Sequence, residues 1–253
     1  MLLDAKNAIV YGGGGRVGTA LATAFAREGA KVHLAGRTRA TLDAVAERIR
    51  ADGGRAETAV LDALDEAAVD EHADAVAAGS GSVDISVSVI DVADVQGTPL
   101  VGMSLADFER PVRIATRSTF ITARAAARHM VRQRSGVILT FGGDGGGEPI
   151  RDYAIGGFQV ALGAVDVLRR QLAAELGEYG IRVLALHTGG ITESLPEDFG
   201  AREAITDMIV GKTMLKRAAT FADVGNVAAF AASDLARSMT ATSLNITAGA
   251  VTD

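Results

Sequence analysis

The chain has no cysteine and no tryptophan, and only 4% of its residues are aromatic. Without cysteine there is neither a disulfide framework nor a thiolate metal site. The four histidines, His33, His72, His129 and His187, show no HExxH-type pairing, so no metal is expected. There is no basic block, and the net charge is −6 over 253 residues. Nucleic acid is therefore not an expected partner. No stretch reaches the roughly 18 apolar residues of a membrane span, and MLLDAKNAIVY lacks a basic leader region. The expectation is a cytoplasmic protein that meets no membrane. Scarce aromatics alongside abundant alanine and glycine favour close helix-on-sheet packing over a β-sandwich.

What is present is 48% apolar residues, enough for a full core, and one organising stretch, NAIVYGGGGRVG. Residues 7–11 are an apolar run of strand type. Four glycines follow, then Arg16, Val17 and Gly18, and helical spacing begins at once with Val17, Leu21, Ala24 and Phe25. Strand, glycine turn and helix form the context of a dinucleotide site. Lacking Cβ atoms, the backbone can turn tightly and approach a pyrophosphate, which the helix N-terminus attracts.

The same alternation runs through the chain. Strands are expected at 31–35, 57–61, 84–90, 137–141, 181–187 and 243–247. Gly29 ends the first helix, and Asp52-Gly53-Gly54 ends a second whose stripe is Leu42, Val45, Ala46 and Ile49. An Ala-rich helix follows at 67–78. Ser104 and Asp107 look like a capping box opening a helix, with a longer one over 116–134 that Ser135-Gly136 breaks. A glycine loop covers 142–147, a helix runs from Tyr153 to about 176, and residues 191–210 are irregular, then partly helical. A second capping box, Thr220 to Asp223, opens a helix reaching about 233. This predicts an α/β protein with a Rossmann-type doubly wound, mainly seven-stranded parallel sheet, helices on both faces, in a single domain. Ligands then bind outside the carboxyl ends of the strands.

The order of YGGGGRVG, AGRT, VLDA, GTPL, RAAARHM, SGVIL, a tyrosine opening a long helix, AAELGEYGIRVLAL with TGG, and LNITAGA resembles the short-chain dehydrogenase/reductase family over essentially the whole length. The resemblance implies a nicotinamide coenzyme, a small-molecule substrate and a homotetramer or dimer. Helices 116–134 and 153–176 would pack across two-fold axes, where Ala125, Ala126, Ala127, Ala161, Gly163 and Ala164 allow close approach; these small residues could equally pack on the sheet. It gives the coenzyme Gly12, Gly13, Gly15, Arg16, Val17 and Gly18. It adds Arg37 and Thr38, Asp62 and Ala63 at the adenine, Ser88, and Gly189 and Ile191 beyond the sixth strand. Residues 191–211, with Leu195, Phe199, Met208 and Ile209, would cover an apolar substrate.

The departures are as informative. Arg16 replaces the middle glycine of the family fingerprint, and either adds a cation for phosphate or points to solvent. Where NAD-binding members have an acid, this chain has Gly36-Arg37-Thr38-Arg39. An arginine fork accepts a 2′-phosphate that an acid would repel, so NADP(H) is favoured over NAD(H). Asp62 either meets adenine or forms a turn. Family reductases use a tyrosine, a lysine four residues later, a serine and an asparagine. Tyr153 matches the tyrosine, but Gly157 stands at the lysine, Gly142-Gly143 at the serine and Ala115 at the asparagine. Thr140 is the one hydroxyl between that strand's start and Tyr153. His187, Asp144, Arg151 and Asp152 are candidate replacements, each also readable as a turn or loop residue. Three readings remain: a divergent NADP(H)-dependent reductase with Tyr153 as proton donor, which is favoured; a degenerate nucleotide-binding or scaffold protein; and a non-redox enzyme on the same fold.

Overall fold

The computed structural model describes residues 1–142, 153–198 and 200–252. Its strands are β1 (Asn7–Tyr11), β2 (Lys31–Gly36), β3 (Arg55–Val60), β4 (Ile85–Ser88), β5 (Gly136–Gly142), β6 (Ile181–Thr188) and β7 (Ser243–Ile246). They make one sheet in the order β3-β2-β1-β4-β5-β6-β7, every pair parallel. The helices are α1 (Arg16–Arg27), α2 (Arg39–Ala51), α3 (Glu66–Ser80), α4 (Leu105–Gln133), α5 (Gly157–Leu176), α6 (Arg202–Lys212) and α7 (Phe221–Ala232). This is the expected doubly wound sheet.

Strand alternation sorts the core into two layers. Ala8 and Val10 of β1 face α1, α2 and α7, where Leu21, Phe25, Leu42, Val45 and Val224 are buried. Ile9 and Tyr11 face the other way, onto Val69 and Val76 of α3 and Ile121 and Ala126 of α4. Each large side chain so buried contributes about 1.5–3 kcal/mol. The sheet order reverses between β1 and β4. The crevice of such a fold therefore opens past Tyr11 and Ser88.

Helix ends follow local chemistry. Past α1, Gly29 takes φ +98°. Its N–H reaches Ala26 O and the Ala30 N–H reaches Phe25 O, both at 3.0 Å. The end of α2 repeats this with Gly53 and Gly54, so both stops are Schellman motifs. Thr220 and Asp223 form the full capping box of α7, whereas at α4 Ser104 caps the Asp107 N–H.

Two expectations are corrected. The two helices expected from Ser104 and over 116–134 are one, α4, which carries Pro111 in its interior. A proline there forfeits its own ladder bond, and α4 retains the rest. It ends at Gln133, within a residue of the expected end, and Arg134 caps it at φ +58°, held by a bond to Glu178 O and by the Tyr179 ring. Second, α5 opens at Gly157, four residues after Tyr153. Of the two packings open to the small residues, Ala125, Ala126 and Ala127 take the sheet side, and Ala161 lies between α4 and α5. The larger apolar side chains those helices turn outward are Phe120, Val160 and Val167. Among the described residues no helix is long and apolar enough to cross a membrane, and no His, Cys, Asp and Glu group could hold a metal ion.

Under α3 a polar ring replaces apolar packing. His33 Nδ1 lies 3.4 Å from Glu57 and its Nε2 3.4 Å from Ser80 Oγ. Lys31 donates to Ser80 at 3.1 Å and to Glu57 at 2.7 Å. A neutral His33 with its proton on Nδ1 satisfies every member, and burial holds its pKa below the ordinary value. His72 lies beside it, edge-on to Tyr11 with ring centroids 6.0 Å apart, and its buried Nδ1 has no partner among the described residues. Burial, with His33 as a lesser cause, pushes His72 down to about 4. The unfolded chain binds a proton near pH 6.5 that the folded chain refuses. Stability is therefore intact above that pH and is lost as pH falls towards 4. Between pH 7.5 and 4.5 the parent should lose about 2 kcal/mol more stability than His72→Leu, or about 4–8 °C in Tm. Parallel pH profiles in thermal melts would contradict this.

Candidate functional site

The glycine turn is built of backbone laid on backbone. Gly12 takes φ +83°, and a Cβ there would stand 2.5 Å from the Val89 carbonyl oxygen beyond β4. A Cβ at Gly18 would overlap the Gly12 carbonyl oxygen, with the carbonyl carbon at 2.8 Å. At Gly13 it would meet the Leu34 side chain at 2.8 Å. The turn's donors divide into two sets. Gly12 and Gly13 both donate to Ala35 O, at 2.8 and 3.2 Å, and Gly15 donates to Gly12 O at 3.0 Å. The ladder of α1 begins with Thr19 donating to Gly15 O. Gly15 is the N-cap and offers no side-chain cap. The leading N–H groups, at Arg16, Val17 and Gly18, are thus left for an outside acceptor. Gly12, Gly13 and Gly15 shape the cradle, while the first turn of α1 supplies the donors and the positive dipole end.

Arg16 does something neither sequence alternative contained. Its Nη1 donates to the Glu193 carbonyl oxygen at 2.6 Å. The Glu193 carboxylate in turn accepts the Phe221 N–H at 2.7 Å. The segment after β6 is thereby tied to the starts of both α1 and α7. Val17 packs on the core, and Ile191 is buried in it. Gly189 lies against Thr247, where a Cβ would stand at 3.4 Å.

Past β2, Arg37 and Thr38 are exposed, and Arg37 has no hydrogen-bond or ion-pair partner among the described residues. Thr38 is the N-cap of α2 without a side-chain cap, so a second helix start faces outward beside an unpaired guanidinium. Asp62 forms the turn alternative: its carboxylate accepts the Leu64 N–H at 3.0 Å and is otherwise exposed. Ala63 lies in the core with Tyr11 and Val69, not lining an open pocket. Ser88, half-buried, ends β4 in register with Tyr11 and Thr140.

Among the described residues, Thr140, Tyr153 and His187 occupy separate places. Thr140 is buried with its hydroxyl directed to Leu184 O at 3.4 Å, inside the sheet, and cannot reach a substrate. Ala115 is buried between α4 and α5. His187, in register with Gly142, lies 3.4 Å from Ser243 Oγ. Tyr153 is 48% exposed and precedes α5. The nearest atom to a Cβ built at Gly97 is its hydroxyl, at 3.7 Å, and Gly97 donates to Ala154 O. At Gly157, four residues on, a Cβ would overlap the Phe108 carbonyl oxygen and lie 2.9 Å from its carbon. The α4 backbone fills the place that a side chain would need. Gly143, Asp144, Arg151, Asp152 and Phe199 lie outside the described residues.

A family model described as enoyl-(acyl carrier protein) reductase matches residues 15–251. Galactitol 2-dehydrogenase of Rhizobium johnstonii is 30% identical over 98% of this chain and 95% of its own length. Gluconate 5-dehydrogenase of Gluconobacter oxydans is 29% identical over 83% and 81%. A gluconate 5-dehydrogenase from Burkholderia cenocepacia, solved with NADP and tartrate, superposes with a TM-score of 0.85 at 27% identity over 98% and 96% of the two chains.

The chain belongs to the short-chain dehydrogenase/reductase family. Membership places it among NAD(P)-dependent oxidoreductases, and its residues fit the coenzyme. The open first turn of α1 suits a pyrophosphate, and the Gly12 and Gly18 contacts leave no volume for side chains where the backbone must come close. Gly18→Ala should lower NADPH affinity at least tenfold in a fluorescence titration, because α1 must lift off the turn. Gly79→Ala, in α3 with nothing within 4 Å of its Cβ, should leave affinity unchanged. Its helix propensity should add about 0.5 kcal/mol in denaturant melts. Equal coenzyme affinity in the two variants would contradict the cradle.

Proposed function

We propose that this short-chain dehydrogenase/reductase is an NADP(H)-dependent oxidoreductase passing hydride between nicotinamide and a small, largely apolar acceptor. The observation that carries the coenzyme preference is Arg37, exposed and unpaired among the described residues beside the uncapped start of α2. A guanidinium there can grip a 2′-phosphate bidentately, and no carboxylate stands in the way. The Burkholderia structure with NADP agrees with this choice. The coenzyme supplies the hydride; the chain's part is positioning. The N–H groups of Arg16, Val17 and Gly18 hold the pyrophosphate, and Arg37 and Thr38 the ribose phosphate.

Residues 191–211 act as the cover in this reading. Arg16 and Glu193 anchor its start, and Ile209 of α6 packs on Gly190 with the first apolar wall. Tyr153 is the phenol open to a substrate, since Tyr11 lies in the core and Tyr179 packs under Arg134. It stands beside Gly97 at the rim, with no ammonium four residues on. Assembly as a dimer or tetramer would use the outward Phe120 and Val160 of α4 and α5, in a cytoplasmic protein.

A second reading, coenzyme binding without turnover, is favoured by one observation: in the sequence matched through Tyr153, the lysine, serine and asparagine places hold Gly157, Gly142-Gly143 and Ala115. Arg37→Asp should weaken NADPH at least 20-fold while changing NADH less than threefold, measured by nicotinamide fluorescence. Equal weakening of both would remove the 2′-phosphate assignment.

A further inference from the structure

Deepening that reading, we propose that the turn of α5 facing the reaction centre is the one carrying Phe158 and Leu162. On this placement the site favours acceptors that need no proton from α5, iminium cations above all. The placement rests on geometry. The site's hydroxyl, where relatives have one, belongs at the end of β5, which here is Gly142. The α5 side chain that meets this strand end is Leu162: its Cδ2 lies 3.4 Å from the Cβ position of Gly142. Phe158 precedes it by four residues. It therefore shares the same helix face, about 6 Å nearer the carboxyl end of the sheet. Tyr153 and Gly157 cannot form such a pair. Tyr153 is outside the helix, and the Phe108 backbone occupies the space beside Gly157. The phenol-and-ammonium positions of this helix are thus an aromatic ring and an isobutyl group, both half-buried.

An apolar wall of this kind selects its substrate by charge balance. A ketone that receives hydride becomes an alkoxide and requires a proton at once; neither Phe158 nor Leu162 can provide one, and the Tyr153 phenol stands outside α5, beside Gly97. An iminium ion requires none. Its carbon accepts the hydride, the C=N π pair becomes the nitrogen lone pair, and the reduced nicotinamide is left as its oxidised cation. The removal of an ammonium also removes repulsion of a cationic substrate. The Phe158 ring face can attract that cation, within a chain of net charge −6.

Two measurements test this on the full-length protein. The first reads coenzyme affinity by NADPH fluorescence and folding by thermal melts in Leu162→Lys, Gly157→Lys and Val167→Lys. Val167, on the same helix and 64% exposed, controls for added charge alone. Leu162→Lys should tighten NADPH at least threefold and keep the parent's Tm. Val167→Lys should change affinity less than 1.5-fold, and Gly157→Lys should melt at least 5 °C lower. If Leu162→Lys leaves affinity unchanged, or if Gly157→Lys folds normally and tightens NADPH, the placement is wrong. The second compares NADPH oxidation by the parent with N-methyl-3,4-dihydroisoquinolinium and with cyclohexanone, above the uncatalysed rates. The iminium should be favoured at least tenfold in kcat/KM, and Phe158→Tyr/Leu162→Lys should move the ratio towards the ketone. Equal or faster ketone reduction by the parent overturns the substrate class. So does failure to reduce either compound while NADPH still binds, which leaves the coenzyme reading standing. Failure of the parent to bind NADPH would instead defeat the coenzyme reading itself.

Discussion

The start of α1 rests on the carbonyl of Gly12, and everything at the carboxyl edge of the sheet is arranged around that contact. Because Gly18 has no Cβ, the first helical turn can sit against the glycine turn with backbone touching backbone. Because Gly12 tolerates a positive φ, the chain leaves β1 and passes under Val89 without strain. These two freedoms bring the helix N-terminus to the switch point, where β1 and β4 part. The same contact brings Arg16 to the segment that follows β6.

The start of α1 is tied to the segment after β6 by polar links. Arg16 binds a carbonyl of that segment, and the Glu193 carboxylate accepts the first N–H of α7. Elsewhere the molecule holds its polar interior in closed sets, as in the ring of Lys31, Glu57, His33 and Ser80, where each donor meets an acceptor. Tyr11, Thr23, His72 and Arg169 are among those that break that pattern, with buried polar atoms that lack partners among the described residues.

Much of the fold was legible because it depends on local rules. The period-two runs of β1 and β6 state which faces are buried. Gly29 and Gly53-Gly54 mark helix ends because a left-handed residue is needed there. Thr220 and Asp223 announce α7 by capping chemistry alone. Of the candidate site, the glycine turn was legible as backbone, because it follows from the strand–turn–helix order. Side-chain placement was not legible in the same way. Asp62 serves a turn, Ala63 and Thr140 point into the core, and Arg16 finds a carbonyl 177 residues away. None of these outcomes is encoded in a local window.

The opening of α5 shows the division most clearly. Tyr-Ala-Ile-Gly-Gly reads as the first turn of a helix, because a tyrosine ahead of a long apolar repeat satisfies every local preference. Only the packed structure shows that α5 begins at Gly157, where α4 approaches so closely that a glycine is required. By itself the sequence determined the alternation of strands and helices, the faces they bury, the glycine turn and the charge beside the second helix, since each is a matter of period, backbone freedom or sign. The tertiary structure decided which α5 side chains look onto the end of β5 and which donors of the turn remain unspent. Those depend on distances between elements far apart in the chain, which no stretch of residues specifies alone.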